Sequence, residues 1–326
     1  MSKRTLLGLI SSVALLATPV AARAQDFPSK PIQLMVAFPA GGSTDIGARV
    51  VGAIAEKALG QSVVIVNKAG AGGQVGWTEL SRQKGDGYYI GMINLPATNT
   101  QIIDPDRQAI FNDKSFTPII NQVLDPGVIW VRADSPFKTM QDMVDATKKA
   151  PGTIKAATTG ILSDDHLAIL MVEEAAPGAT FRIVHLDGGA PMLKETLGGN
   201  IDVSFDNVGS IVKQVAAGQV RALAVMDPER SKFLPGVPTT KEAGYPTVVM
   251  NSTRGIAGPK NMDPKALAKL QTVLKQAMED PEHVKKLDEL GLAVKIMVGA
   301  EYQKYFDDMH QTAKRYAEWA KSRPQK

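Results

Sequence analysis

"IQLMVAFPAGGSTDIGARVVGAIAEKALGQSVVIVN", residues 32–67, holds the pattern that decides the fold. Ile32–Phe38 is an apolar run of strand length. Ile46, Val50, Val51, Ile54 and Leu59 then recur at helical spacing, and Gly60 is a natural C-terminal stop. A second, β-branched run follows at Ser62–Asn67. The loop between strand and helix carries Ala40, Gly41, Gly42, Ser43, Thr44 and Asp45. A helix N-terminus leaves backbone N–H groups unpaired and partly positive. Glycines let the main chain approach a ligand, and hydroxyls add donors, so this loop reads as an anion site. A phosphate-binding P-loop needs Gly-Lys-Ser/Thr, which is absent. Carboxylate fits better, because a few neutral donors suffice for it. The structural alternative is a tight turn with a Ser or Thr cap.

The same alternation continues along the chain. Strand-like runs stand at 88–94, 127–133, 154–159, 201–206 and 220–226, with helical stretches at 138–149, 164–176, 189–198 and 208–217. Such alternation implies mostly parallel sheets covered by helices on both faces. Asp263-Pro264 opens a helix whose buried stripe is Leu267, Leu270, Val273, Leu274 and Ala277. Residues 281–291, a short strand at 292–297 and a helix over 300–320 complete the pattern, without internal repeats.

Residues 1–24 read as a secretory signal peptide. Lys3 and Arg4 precede an apolar stretch, Leu6–Ala17, too short to span a bilayer, and Ala22-Arg23-Ala24 supplies small residues for cleavage near Ala24. Removing this leader leaves 34 basic against 33 acidic residues, so the mature chain is nearly neutral. Nucleic acid is a poor partner for such a chain. No cysteine is present, which excludes a disulfide framework or a lipidated cysteine. About 300 mature residues suggest two domains.

Other stretches invite functional readings. "NKAGAGGQVG" (67–76) fails as a dinucleotide motif, since Val75 stands where the third glycine belongs. As a second glycine loop, with Gly72 and Gly73, it would lie beside the first at a sheet's C-terminal rim. Ser163, Asp164, Asp165 and His166 are too close on one helix to converge as nucleophile, base and orienter. No metal motif is present, and no metal or cofactor is expected. Asp206-Asn207 ends a strand and can face a cleft or cap the next helix. Trp77 and Trp130 read as core.

"PSKPIQLMVAFPAGGSTDIGARVVG", "GQSVVIVNKAGAGGQVGW", "DGGAPMLKETLGGNIDVSF", "AGQVRALAV" and "PGVPTTKEAGYP" together resemble the Bug family, the extracytoplasmic solute-binding proteins of tripartite tricarboxylate transporters. The resemblance covers almost the whole mature chain. It implies a type II-like periplasmic binding protein fold: two α/β lobes, each a doubly wound sheet, joined by two crossing segments. Lobe one would comprise 25–125 plus 252–326 and lobe two 126–251. It also implies a periplasmic monomer that binds a small carboxylic acid and serves membrane permease subunits.

In this family the opening loop, here Pro39–Asp45, receives a ligand carboxylate, and lobe two contributes Gly160–Ser163 and the strand end near Asp206. With Thr159, Gly72 and Gly73 these complete the expected contacts. Asp45 either caps its own helix or accepts from the ligand, and an i,i+4 pair with Arg49 favours the first. Two departures stand out. Leu162 replaces a glycine of the family loop and is expected to narrow the cleft or make it more apolar. Leu186-Asp187-Gly188 stands where relatives have Tyr-Lys-Gly, which argues against a tricarboxylate. Arg254, in the second crossing segment, is the candidate replacement for that lysine. The competing classes are an exported hydrolase using Ser163 or Ser210 with His166 or His185, and a sensory binding protein; no G-x-S-x-G elbow supports the former.

Overall fold

The computed structural model describes residues 27–186 and 188–322; the leader and Asp187 lie outside the described residues. β1 (Ile32–Val36), α1 (Ser43–Leu59), β2 (Val63–Asn67), α2 (Gln74–Ser81), β3 (Tyr89–Ile93) and α3 (Ala97–Ile103) lead into a long strand, β4 (Phe116–Arg132). There follow α4 (Met140–Lys149), β5 (Lys155–Thr158), α5 (Asp164–Ala175), β6 (Arg182–His185), α6 (Gly189–Leu197), β7 (Val203–Asn207), α7 (Val208–Ala216) and β8 (Val220–Val225). The chain then returns through β9 (Asn251–Pro259), α8 (Pro264–Glu279), α9 (Pro281–Glu289), β10 (Val294–Val298) and α10 (Ala300–Ser322).

Local chemistry sets these boundaries. Gly60 takes the left-handed conformation (φ 65°) that ends α1 and donates its N–H to Glu56 O. Asp263 caps α8 by accepting from the N–H groups of Lys265 and Ala266, with Pro264 at the first helical position. β1 is buried on both faces. Ile32, Leu34 and Val36 pack with Ala48 and Val51 of α1, while Met35 joins Trp77 and Leu80 of α2. That two-sided burial is why its sequence is a continuous apolar run. Trp77 and Trp130 are both fully buried.

The strand order is β2-β1-β3-β9-β4-β7-β5-β6, with β8 and β10 also pairing β4. β1 runs parallel to β2 and β3, and β5 runs parallel to β6 and β7. Each trio therefore follows the order second-first-third and is flanked by an antiparallel long strand, β9 or β4. The two lobes repeat a topology without repeating a sequence, because strand order depends on the period of burial and not on residue identity. The molecule is a two-lobe α/β fold whose lobes share β4.

The expected mostly parallel pairing holds only for the strands linked by helices. Every pairing of β4 and β9 is antiparallel. The strand expected over 127–133 is the end of a 17-residue strand. Its first half, with Pro118, Asn121, Gln122 and Asp125, has poor strand composition, and shifts in register near Pro118 and Asn121 absorb the misfit.

Candidate functional site

The C-terminal ends of the parallel strands deliver the loops after β1, β2, β5 and β7 to one rim, where ligands bind in open α/β sheets. Ala40, Gly41 and Gly42 are exposed and Ser43 is half-buried. Gly41 has φ +86°, and no side chain caps α1 at Gly42. The helix therefore presents N–H groups that its own side chains do not satisfy. Thr44 is buried and accepts from Asn94 Nδ2 at 3.2 Å.

Asp45 is committed to the protein. Its Oδ2 accepts from Gly41 N–H and Arg49 Nε, each at 2.9 Å, and its Oδ1 accepts from Asn67 Nδ2 at 2.9 Å. Burial pushes its carboxyl up, but the bonds from Arg49, Gly41 and Asn67 outweigh burial and hold it below the ordinary aspartate value. The residue thus shapes the turn that aims the loop.

In the second glycine loop, the carbonyls of Ala71 and Gly72 lie 3.3 and 3.5 Å from Gln101 Nε2. Gly73 has φ +103°, and a Cβ there would meet the Trp77 ring at 2.6 Å. Close packing against that ring accounts for this glycine.

In lobe two, Thr159 donates through N–H and Oγ1 to Asp165 Oδ2, at 3.0 and 2.5 Å. Gly160 holds φ +147°, a backbone conformation that L side chains rarely adopt. Ser163 caps α5, its Oγ accepting from His166 N–H at 3.2 Å. His166 Nδ1 accepts from Leu162 N–H at 3.0 Å, so that nitrogen is engaged with backbone and does not serve Ser163 as a base. Leu162 holds a left-handed φ of +58° and is 5 % exposed, packed into the core. It therefore does not line the cleft as expected from sequence. Its neighbour Ile161, 58 % exposed, is the apolar residue this loop offers to solvent.

The two lobes meet at a polar centre on the shared strands. Arg254 of β9 donates from Nε to Ser43 Oγ at 3.2 Å and faces Asp125 Oδ2 of β4 at 3.4 Å through both Nη atoms. Asp125 Oδ1 accepts from Gly209 N–H in α7 at 3.0 Å. Asn207 donates its side chain to Asp164 Oδ2 at 2.9 Å, and its N–H to Asp206 Oδ1 at 2.7 Å. Burial pushes Asp125 up to about 6 despite Arg254, and Asp206 up to about 7 despite its bonds from Asn207 and Ser210. Desolvation outweighs the ion pair, as is common for buried charges.

A cavity of about 320 Å³ opens here, lined from lobe one by Gly41, Ser43, Ile46 and Arg254 and from lobe two by Ser210 and Lys213, among others. It brings the N-terminal turns of α1 and α7 face to face. A larger hollow, about 440 Å³, lies between α10 and the segment leading into β4, lined by Asp113, Lys114, Phe116, Gln303, Asp307, His310 and Gln311, none of them a residue of this rim. Thr159, Gly160, Ser163 and Asp206 sit on the lobe-two rim without lining the smaller cavity. Sequence reading named Arg254 only as a replacement cation, and it passed over Lys213, Gly209 and Asp125, because nothing local marks them. Among the described residues no cluster of His, Asp or Glu is arranged to hold a metal, and no helix is long and apolar enough to cross a membrane.

The family model described as "Tripartite tricarboxylate transporter family receptor", TctC, matches residues 47–319. The chain belongs to the TctC family. Among its curated relatives, the protein BugT of Bordetella pertussis is 29 % identical over 276 residues, 84 % of this chain and 83 % of that one. A TctC solute-binding protein from Polaromonas, solved without ligand, superposes with a TM-score of 0.78 at 28 % identity, covering 90 % of this chain and 99 % of that one. The R. palustris protein Rpa4515, solved with adipate, gives 0.76 at 25 % identity, covering 91 % and 98 %. The likeness extends over both lobes, and the Polaromonas relative is a solute-binding protein.

Proposed function

We propose that this chain is a periplasmic receptor that captures a small carboxylic acid between its lobes and delivers it to the permease subunits of a tripartite tricarboxylate-type transporter. One observation carries the reading: Arg254 and Ser43, 3.2 Å apart, meet at an α1 N-terminus that no side chain caps, inside a cavity shared by both lobes. A guanidinium, a hydroxyl and free helix N–H groups together suit a carboxylate. The adipate held by the R. palustris neighbour supports the same ligand class. The leader is cleaved near Ala24, the mature chain acts as a monomer, and lobe one comprises 25–125 plus 252–326 with lobe two at 126–251. On closure, the loop at 40–45, Gly72 and Gly73 hold the acid from one side, and Thr159, Gly160, Ser163 and Asp206 approach from the other. At micromolar affinity the ligand supplies about 8 kcal/mol, enough to shift an open–closed equilibrium if it touches both lobes.

The test is a thermal shift against mono-, di-, tri- and aromatic carboxylates, with sugars and simple cations as controls. At least one acid is expected to raise Tm and to be recovered chemically unchanged, and Ser43→Ala or Gly42→Val is expected to weaken it in a folded protein. A sugar or cation that stabilises where no acid does would overturn the assignment, and turnover of the ligand would point to an enzyme.

A further inference from the structure

We infer that the C-terminal helix, α10, is a third, non-covalent connection between the lobes. It serves as a pivot against α5, so that the lobes part on the opposite face of the molecule, where the Lys232–Asp288 ion pair straps them together. This goes beyond the choice of ligand and holds whichever solute the cleft takes.

The two faces follow from the alternation of side chains along the strands. Ile129 and Val131 of β4 join the apolar cluster that contains α5 and α10, whereas Val128 and Trp130 join the one that contains α7. In lobe one, Met35 of β1 belongs to the cluster of α10, while Leu34 and Val36 pack with α1 and α8. Thus α10 meets α5 on one face. On the other, α7 stands beside the turn between α9 and β10. Besides Arg254–Asp125 at the hinge, two ion pairs among the described residues run from lobe to lobe, one on each face.

α10 is held by both lobes. It packs on α3 of lobe one, where Phe306 O accepts from Asn99 Nδ2 at 3.4 Å. It also packs on α5 of lobe two, and its Ala313, Tyr316 and Ala317 are buried in one cluster with Leu167, Leu170 and Met171. Glu174, near the end of α5, closes the contact. Its Oε2 accepts from Tyr316 OH at 2.6 Å, and its Oε1 pairs with Arg315, whose guanidinium lies 4.9 Å from the centre of the Tyr316 ring. Burial and the Glu174 carboxylate push the Tyr316 phenol up to about 12, so it donates throughout the neutral range. Separating α5 from α10 would expose this apolar seam and strip a buried hydroxyl of its partner, both unfavourable.

The opposite face resists less. A Cβ on Gly209 of α7 would meet Leu292 at 2.8 Å and Gly291 O at 3.3 Å, and one on Gly291 would meet Val212 at 2.8 Å. Each aliphatic side chain therefore rests on bare glycine backbone, a contact that can slide as packed elements do in shear motions. The charged link on this face is Lys232–Asp288, 2.6 Å apart, with side chains 54 % and 39 % exposed. Such an exposed pair is weak and is screened by salt. The cavity of about 320 Å³ is lined by Gly209 and Leu292, so it lies on the face that yields.

The chain has no cysteine, so introduced cysteines alone carry spin labels. Pulsed EPR distances are measured in the ligand-free mature protein across each face. One pair is Ala216→Cys with Lys285→Cys, on α7 and α9; the other is Lys148→Cys with Lys314→Cys, on α4 and α10. All four positions are exposed, and circular dichroism checks the fold. The strap is then cut in two ways, by Lys232→Gln and by molar sodium chloride on the protein with Lys232 intact. Either is expected to lengthen the α7–α9 distance by more than about 2 Å in part of the molecules. The lengthened fraction should rise at most about fivefold, since an exposed pair contributes no more than that. The α4–α10 distance is expected to stay as it was. A change in the α4–α10 distance, or no change in the α7–α9 distance under either treatment, would overturn the inference.

Discussion

Replacing Arg254 with methionine tests how the centre of the molecule tolerates its buried charge. Removing one partner of a buried ion pair ordinarily costs about 3–5 kcal/mol. Here the loss is capped, because Asp125 already titrates near 6 instead of 3.8. A folded Arg254→Met protein escapes by keeping Asp125 protonated, so its loss is limited to the cost of holding that proton above pH 6. Each pKa unit corresponds to about 1.4 kcal/mol. The expected loss is therefore near zero at pH 6, about 1 kcal/mol at pH 7 and about 3 kcal/mol at pH 8. The sign follows from proton uptake: a raised carboxyl pKa makes the folded state bind more protons than the unfolded one, so stability falls as pH rises. In the wild type that fall ends near pH 6 for this group, whereas in the variant it continues. Urea unfolding of ligand-free protein at the three pH values measures it, and Arg254→Met with Asp125→Asn should remove the added slope. A loss of 3–5 kcal/mol that is the same at every pH, or no loss at pH 8, would refute the reasoning.

Asp206 titrates near 7, so its burial penalty is absent below about pH 4 and complete above pH 7. Asp206→Asn should raise stability at pH 8 by at most about 4 kcal/mol and change little at pH 4, by the same unfolding assay. Gly73→Ala should destabilise by roughly 2–3 kcal/mol, since its Cβ would strike Trp77 at 2.6 Å in a left-handed backbone. Gly41→Ala, with a similar φ but nothing within 4 Å, should cost only about 1–2 kcal/mol in thermal unfolding. Equal costs at the two glycines would mean that backbone strain alone matters at both.

The alternation of apolar strands and amphipathic helices was enough to read an α/β fold, and the family resemblance implied its two lobes. Burial on both faces writes a continuous apolar run such as Ile32–Val36, and caps such as Asp263 and Gly60 act within a few residues. The opening loop was readable for the same reason: two glycines and two hydroxyls before a helix are local chemistry. Leu162 was misread, because its departure from glycine is visible in sequence but the direction of its side chain is not. β4 and β9 were also underread, since their prolines, glycines and polar residues disguise strands whose pairing is decided elsewhere in the chain.

Sequence by itself determined the period of burial, the helix ends and the loop chemistry, each set by neighbours a few bonds away. Only the tertiary structure decided which charges meet. Arg254 reaches Ser43 across 211 residues and Asp125 across 129, and Lys213 shares their cavity from another lobe. Such pairs are fixed by the crossing of β4 and β9, and electrostatic energy depends on distance and burial, neither of which a linear order of residues contains.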